Sequence, residues 1–139
     1  MSTRRSTSGL SLLEVMLALG LLSVVTLALM AVFTSGNRMM AQSTSLTMAT
    51  DVCREFLERT RCEGYNRTLV GVYDGRVGDP SDITTGFPHA PYPASTRNGK
   101  DYHLFVEVTQ VGPETRLIKL RVYWEDGRHH TGMATMVHL

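Results

Sequence analysis

The sequence predicts an α+β fold: one long N-terminal helix, apolar through its first half, packed on a small C-terminal antiparallel β-sheet. Three observations carry this expectation. Val15 to Phe33 runs for 19 residues without a charge. Met39, Leu46, Ala49, Cys53 and Phe56 then recur at helical spacing. Roughly the last forty residues alternate apolar and polar positions, the period of half-buried strands.

The chain has 139 residues, enough for one modest domain. Charged residues make up 19% and the formal net charge is +1, but these averages hide an asymmetry. At about 1.5 Å per residue the uncharged run spans roughly 28 Å as a helix, close to the thickness of a hydrocarbon core. Beyond Thr34 the chain reads as ordinary soluble protein. Of the 14 lysines and arginines, Arg4 and Arg5 precede the apolar run, and the other twelve are scattered among 13 acids. No basic stripe interleaved with aromatics occurs, so nucleic acid is not an expected partner. A short positive flank stays on the cytoplasmic side, which puts the C-terminal part outside the cytoplasm.

Three kinds of N-terminal segment compete. A secretory signal peptide has roughly 7–15 apolar residues and a small-residue cleavage site. Here the run is longer, and Ala31 to Gly36 offers only a poor site. A plain signal anchor fits the length and the arginines but leaves Glu14 unexplained, because a charge in the bilayer costs about 2.5–3.5 kcal/mol even on insertion scales. Ser11-Leu12-Leu13-Glu14 also matches a capping box, with Ser11 as N-cap and Glu14 reaching back to its amide.

The wider stretch resembles the class III signal of type IV prepilins: basic residues, then Gly9, Leu10 and Glu14, then some twenty apolar residues in fixed register. The resemblance covers Arg4 to Phe33. It implies that residues 1–9 are a leader, that a prepilin peptidase cuts between Gly9 and Leu10, and that Leu10 is then N-methylated. It also implies that Glu14, fifth in the mature chain, receives a neighbouring subunit's N-terminal amine during assembly. The family usually has phenylalanine where this chain has Leu10. The implied partners are other major and minor pilins through the N-terminal helix, the peptidase, an inner-membrane assembly platform, and membrane lipid before assembly. The implied location is the bacterial inner membrane, single-pass with the C-terminal domain in the periplasm, and afterwards a pilus on the cell surface.

The elements follow in order. Residues 10–33 form the transmembrane half of the helix and residues 34–62 an amphipathic half, with a soft spot at Gly36. Met39, Leu46, Ala49, Cys53 and Phe56 make the core-facing stripe, and Glu55 and Arg59 form an (i, i+4) pair. The helix ends near Cys62, where Glu63-Gly64 offers a stop. Cys53 and Cys62 are the only cysteines. Nine residues apart on one helix they face opposite ways at roughly 13 Å, so the reading is no disulfide unless the helix stops before Cys62. Their placement also differs from major pilins, whose disulfide usually closes a C-terminal loop, which points to a minor member.

Residues 63–139 form a globular β domain of four or fewer strands. Thr68 to Tyr73 is a short strand, and Asn66-Arg67-Thr68 fits a glycosylation sequon as many chance triplets do. Residues 74–100 make an irregular loop, proline-rich at Pro88, Pro91 and Pro93, of the kind that is functional or mobile. Asp74, Asp79 and Asp82 read as turn formers, since they lack calcium-loop spacing. Tyr102, Leu104, Val106 and Val108 share one face of a strand, Ile118, Leu120, Val122 and Trp124 share one face of the next, and Asp126-Gly127 signals a hairpin into a last strand. The segment from Leu117 to Leu139 resembles the closing hairpin of V-type minor pilins, valine-rich and ending in tryptophan before the turn.

No catalytic constellation is present. His129 and His130 are adjacent and would point to opposite faces of a strand, while His89, His103 and His138 lack partners at recognisable spacing. No nucleophile elbow or phosphate loop occurs, so no enzyme activity, cofactor or metal is expected. The sequence therefore reads as a minor pilin that helps initiate a type IV pilus or form its tip. Its rivals are an I-type pseudopilin of a type II secretion system and a signal-anchored extracytoplasmic binding protein.

Overall fold

The computed structural model describes residues 11–139. The architecture is α+β: helix α1 (Leu12–Glu63), a short 3-10 turn (Tyr65–Arg67), and strands β1 (Gly71–Asp74), β2 (Ala94–Arg97), β3 (Lys100–Gly112), β4 (Thr115–Trp124) and β5 (His129–His138). The described chain divides into two units, a first that ends at Gln42 and a second, Ser43–Leu139, and α1 contributes to both.

In the first unit α1 runs through Gly36 without interruption, so that glycine does not loosen the helix. In the second unit the buried positions of α1 are Ser45, Ala49, Val52, Cys53, Phe56, Leu57 and Thr60. These steps of four, three, one, three, one and three trace the broad stripe of a helix lying on a sheet. The expected stripe is therefore corrected at its start. Leu46 is 48% and Met39 69% exposed, because the buried face passes through Ser45 instead and because Met39 precedes the unit that holds the sheet.

The sheet is antiparallel throughout, with five strands where four or fewer were expected. In the order β1-β3-β4-β5, β2 joins β3 on the same edge as β1: β1 pairs with Phe105 to Val108, and β2 with Lys100 to His103. The alternation in β3 and β4 holds. Tyr102, Leu104, Val106 and Val108, and Ile118, Leu120, Val122 and Trp124, are all buried. Burying one face of two long strands and a helix supplies most of the apolar contact that drives this unit to fold.

The first strand begins at Gly71, not at Thr68. Thr68 instead closes the 3-10 turn, its hydroxyl donating to the Gly64 carbonyl at 3.0 Å. Arg116 fastens this turn to the sheet. Its guanidinium donates to the Tyr65 carbonyl at 2.8 Å and to the Thr68 carbonyl, and lies 3.9 Å from the centre of the Tyr65 ring. At another corner Lys100 Nζ donates to Ser45 Oγ at 3.0 Å and to Glu125 at 2.6 Å, tying the ends of two hairpins to the helix.

Residues 74–100 are less irregular than expected. They contain β2, and the Asn98-Gly99 turn into β3 has φ 49° and 71°, the positive values of a type I′ hairpin. Phe87 and Tyr92 are buried in the common core. The excursion leaves the sheet at Gly75, whose amide donates to the Leu104 carbonyl at 2.9 Å, and returns at Pro93, whose carbonyl accepts the Leu104 amide at 3.0 Å. A Cβ on Gly75 would lie 2.2 Å from the Pro93 oxygen and 2.7 Å from that of Leu104. Both are backbone atoms of the ladder and have nowhere to go. Gly75→Ala is expected to destabilise by about 1–3 kcal/mol, measured as a lowered thermal midpoint, whereas Gly78→Ala, with open space around it, would cost only the strain of its positive φ.

Both cysteines are free, Cys53 buried and Cys62 exposed. The helix continues past Cys62 to Glu63, which keeps the two on opposite faces. Burial pushes the Cys53 thiol up to about 12, so it carries almost no thiolate at neutral pH. Alkylation at pH 8 is expected to add one adduct to the folded protein, on Cys62, and a second only after denaturation, as read by intact mass.

Candidate functional site

The most unusual surface of the described chain is the start of α1. From Leu12 to Phe33 the only charged residue is Glu14. The large side chains there are exposed throughout, among them Leu13, Met16, Leu17, Leu21, Leu27 and Phe33. The segment is long and apolar enough to cross a membrane, and none of it is buried within the chain. Its few hydroxyls are internally satisfied. Ser23, Thr26 and Thr34 donate to the carbonyls of Leu19, Leu22 and Met30 at 2.8, 2.7 and 2.8 Å. Such back-bonding lets a polar side chain sit in hydrocarbon without an unpaired donor.

The helix begins at Leu12, and the Ser11 carbonyl accepts the Val15 amide at 3.2 Å. This puts Ser11 at the N-cap and Glu14 in the first turn, where the helix dipole favours a carboxylate. Glu14, Val15, Ala18, Leu19 and Leu22 line one shallow groove along the helix surface. Glu14 therefore stands at the end of an apolar seam, not alone on a polar face. Ala18, small and within this groove, allows another helix to approach closely there. Glu14 stands out in the sequence by its charge, whereas the seam it heads is carried only by the spacing of one, three, one and three residues from Glu14. Gly9 and Leu10, the expected cleavage and methylation positions, lie outside the described residues, as does the rest of the expected leader.

The second unit gathers no comparable chemistry. No group of three His, Cys, Asp or Glu among the described residues could hold a metal ion. His89 stacks on Phe56 at 4.6 Å with its Nε2 2.9 Å from the Thr60 hydroxyl, and its Nδ1 donates to the Ala90 carbonyl. His129 stacks on Trp124, His130 lies against Tyr123, and His138 bonds Thr115. His103 keeps a buried Nδ1 without a partner.

The three loop aspartates act as turn formers. Asp82 accepts the amides of Thr84 and Thr85 and the Thr85 hydroxyl, and Asp79 accepts the Asp74 amide. Asp74 takes the Arg76 guanidinium through both oxygens at 2.9 and 2.6 Å. These bonds from Arg76 hold the Asp74 carboxyl below its ordinary value. Arg76 in turn lies over the Tyr123 ring, its Cζ 4.4 Å from the ring centre, a contact that sequence spacing gave no means of finding.

No family model, curated protein or solved structure matches the chain.

Proposed function

We propose that this chain is a minor pilin, processed by a prepilin peptidase and assembled with related subunits to initiate a type IV pilus or form its tip. The observation that carries the reading is the bare apolar surface of α1 with one carboxylate in its first turn, five positions beyond Gly9. A surface so apolar is stable only in lipid or against like helices. Before assembly lipid covers it; afterwards the helices of neighbouring subunits do. Glu14 then meets an N-terminal amine, and a paired charge in hydrocarbon costs far less than two separate ones. The pseudopilus of a type II secretion system would use the same N-terminal chemistry. The buried Trp124 before the closing hairpin favours the pilus.

Co-expression with a prepilin peptidase tests the reading. The expected product has lost residues 1–9 and begins at a methylated Leu10, as read by intact mass and N-terminal fragmentation. A chain that still begins at Met1 would remove both the pilin and the pseudopilin readings and leave a signal-anchored binding protein.

A further inference from the structure

β5 is an edge strand of a kind that folded proteins usually protect. It pairs with β4 over ten positions without a register shift and, among the described residues, has no strand on its other side. Such an edge presents every second amide and carbonyl outward and unpaired. Proteins blunt these edges with short strands, prolines, charged side chains, bulges or a covering loop. His129–His138 contains no proline and no Lys, Arg, Asp or Glu.

The opposite edge has the protections that β5 lacks. Its two strands, β1 and β2, are four residues each. At the end of β1 the Asp74 amide donates to the Asp79 carboxylate at 3.1 Å, while the Asp74 carbonyl accepts the Val77 and Asp79 amides at 3.2 and 3.3 Å. One edge of this sheet is made of two short strands and is capped at Asp74, and the other is one long strand without such a cap.

Beside the β5 edge lies a cavity of about 370 Å³ between α1 and β5, with Arg54, Leu57, Glu58 and Arg61 on the helix side and Met133 and Thr135 on the strand side. A strand added to β5 would send alternate side chains toward this cavity. Leu57 and Met133 give it apolar walls. Two guanidiniums against the single Glu58 carboxylate leave it net positive, and Arg61 is held in place by its Nε bond to the Thr135 hydroxyl at 3.0 Å.

We infer that β5 accepts an extended segment of a different polypeptide, paired backbone to backbone, whose acidic side chain enters the cavity beside Arg54 and Arg61. A second copy of this chain fits less well. Its β5 has no acid to offer, and the one acid on its β1, Asp74, is already bound to Arg76. The inference goes beyond the pilus reading and does not depend on leader removal.

The test uses full-length protein in detergent micelles and fluorescein-labelled ten-residue peptides of alternating valine and threonine with one central glutamate. The glutamate peptide is expected to bind, with lysine in its place weakening binding by about fivefold. Arg54→Glu is expected to reverse that order. N-methylating one alternate set of peptide amides should abolish binding, whereas methylating the other set should leave it intact. Equal effects of the two methylation patterns, no preference for glutamate over lysine, or no binding at all would each overturn the inference. So would a disulfide-linked dimer that forms through Ala134→Cys in a Cys62→Ser chain, under an added mild oxidant, to the same yield with and without saturating peptide, since that would give the edge to a second copy.

Discussion

Phe56→Ala is expected to remove about 3–5 kcal/mol from the unit Ser43–Leu139, a large part of the 5–15 kcal/mol or so that holds a domain together. Phe56 is fully buried on α1. Its ring stacks on His89 at 4.6 Å and meets Phe87 at 6.3 Å, and Phe87 meets Tyr73 of β1 edge-on at 5.4 Å. One side chain thus joins the helix, the excursion between β1 and β2, and the edge of the sheet. Truncation opens a cavity that all three line, and the closely spaced backbone at Gly75 limits how far the excursion can collapse into it. Trp124, the only tryptophan, is buried in the same core and reports unfolding by fluorescence. Urea titration should show a lower midpoint with a similar slope. The exposed Leu46→Ala, one of the stripe residues the sequence suggested, should shift stability by less than about 0.5 kcal/mol. A Phe56→Ala variant as stable as the parent would mean that the excursion is not held by this cluster.

That contrast between Phe56 and Leu46 shows what periodicity can and cannot convey. A repeat of three and four residues identifies a helix face, but not where along the helix its partner begins. Ala49, Cys53 and Phe56 were legible for the first reason, and Leu46 and Met39 were misplaced for the second. β3 and β4 were legible because each buries one face only, so alternation survives in the sequence. β2 was missed although Asn98-Gly99 is among the strongest hairpin signals. Its four residues, Ala-Ser-Thr-Arg, carry no apolar alternation, and they follow a proline-rich stretch that reads as loop. The burial of Phe87 and Tyr92 depends on a tertiary contact that no local pattern encodes. At the candidate site Glu14 stood out because a carboxylate beside an apolar run costs energy wherever it sits. What surrounds it in an assembly is written in other chains, and a single sequence contains no trace of their positions.

Glu14→Gln is expected to have the largest functional effect, close to complete loss of the subunit from assembled fibres. Glutamine keeps the side-chain acceptor that the capping-box pattern Ser11-Leu12-Leu13-Glu14 calls for, and nearly the same shape. It deletes only the negative charge. On the proposed reading, the amine at Leu10 of the adjoining subunit then enters hydrocarbon without its counter-ion. Leaving one member of a buried pair unmatched costs about 3–5 kcal/mol, which corresponds to roughly 10²–10⁴-fold in the equilibrium for incorporation. Membrane insertion should not suffer, because a neutral amide is cheaper to hold at that depth than a carboxylate. Leader removal should also proceed, since the bond between Gly9 and Leu10 is untouched. Ser11→Ala separates the two roles of this turn: it removes the cap, at about 1 kcal/mol, and keeps the charge, so its subunits should still enter fibres. The measurement is the fraction of each variant in sheared filaments relative to the membrane pool. Equal incorporation of Glu14→Gln and the parent would assign Glu14 to the helix cap alone, and a larger loss with Ser11→Ala than with Glu14→Gln would do the same.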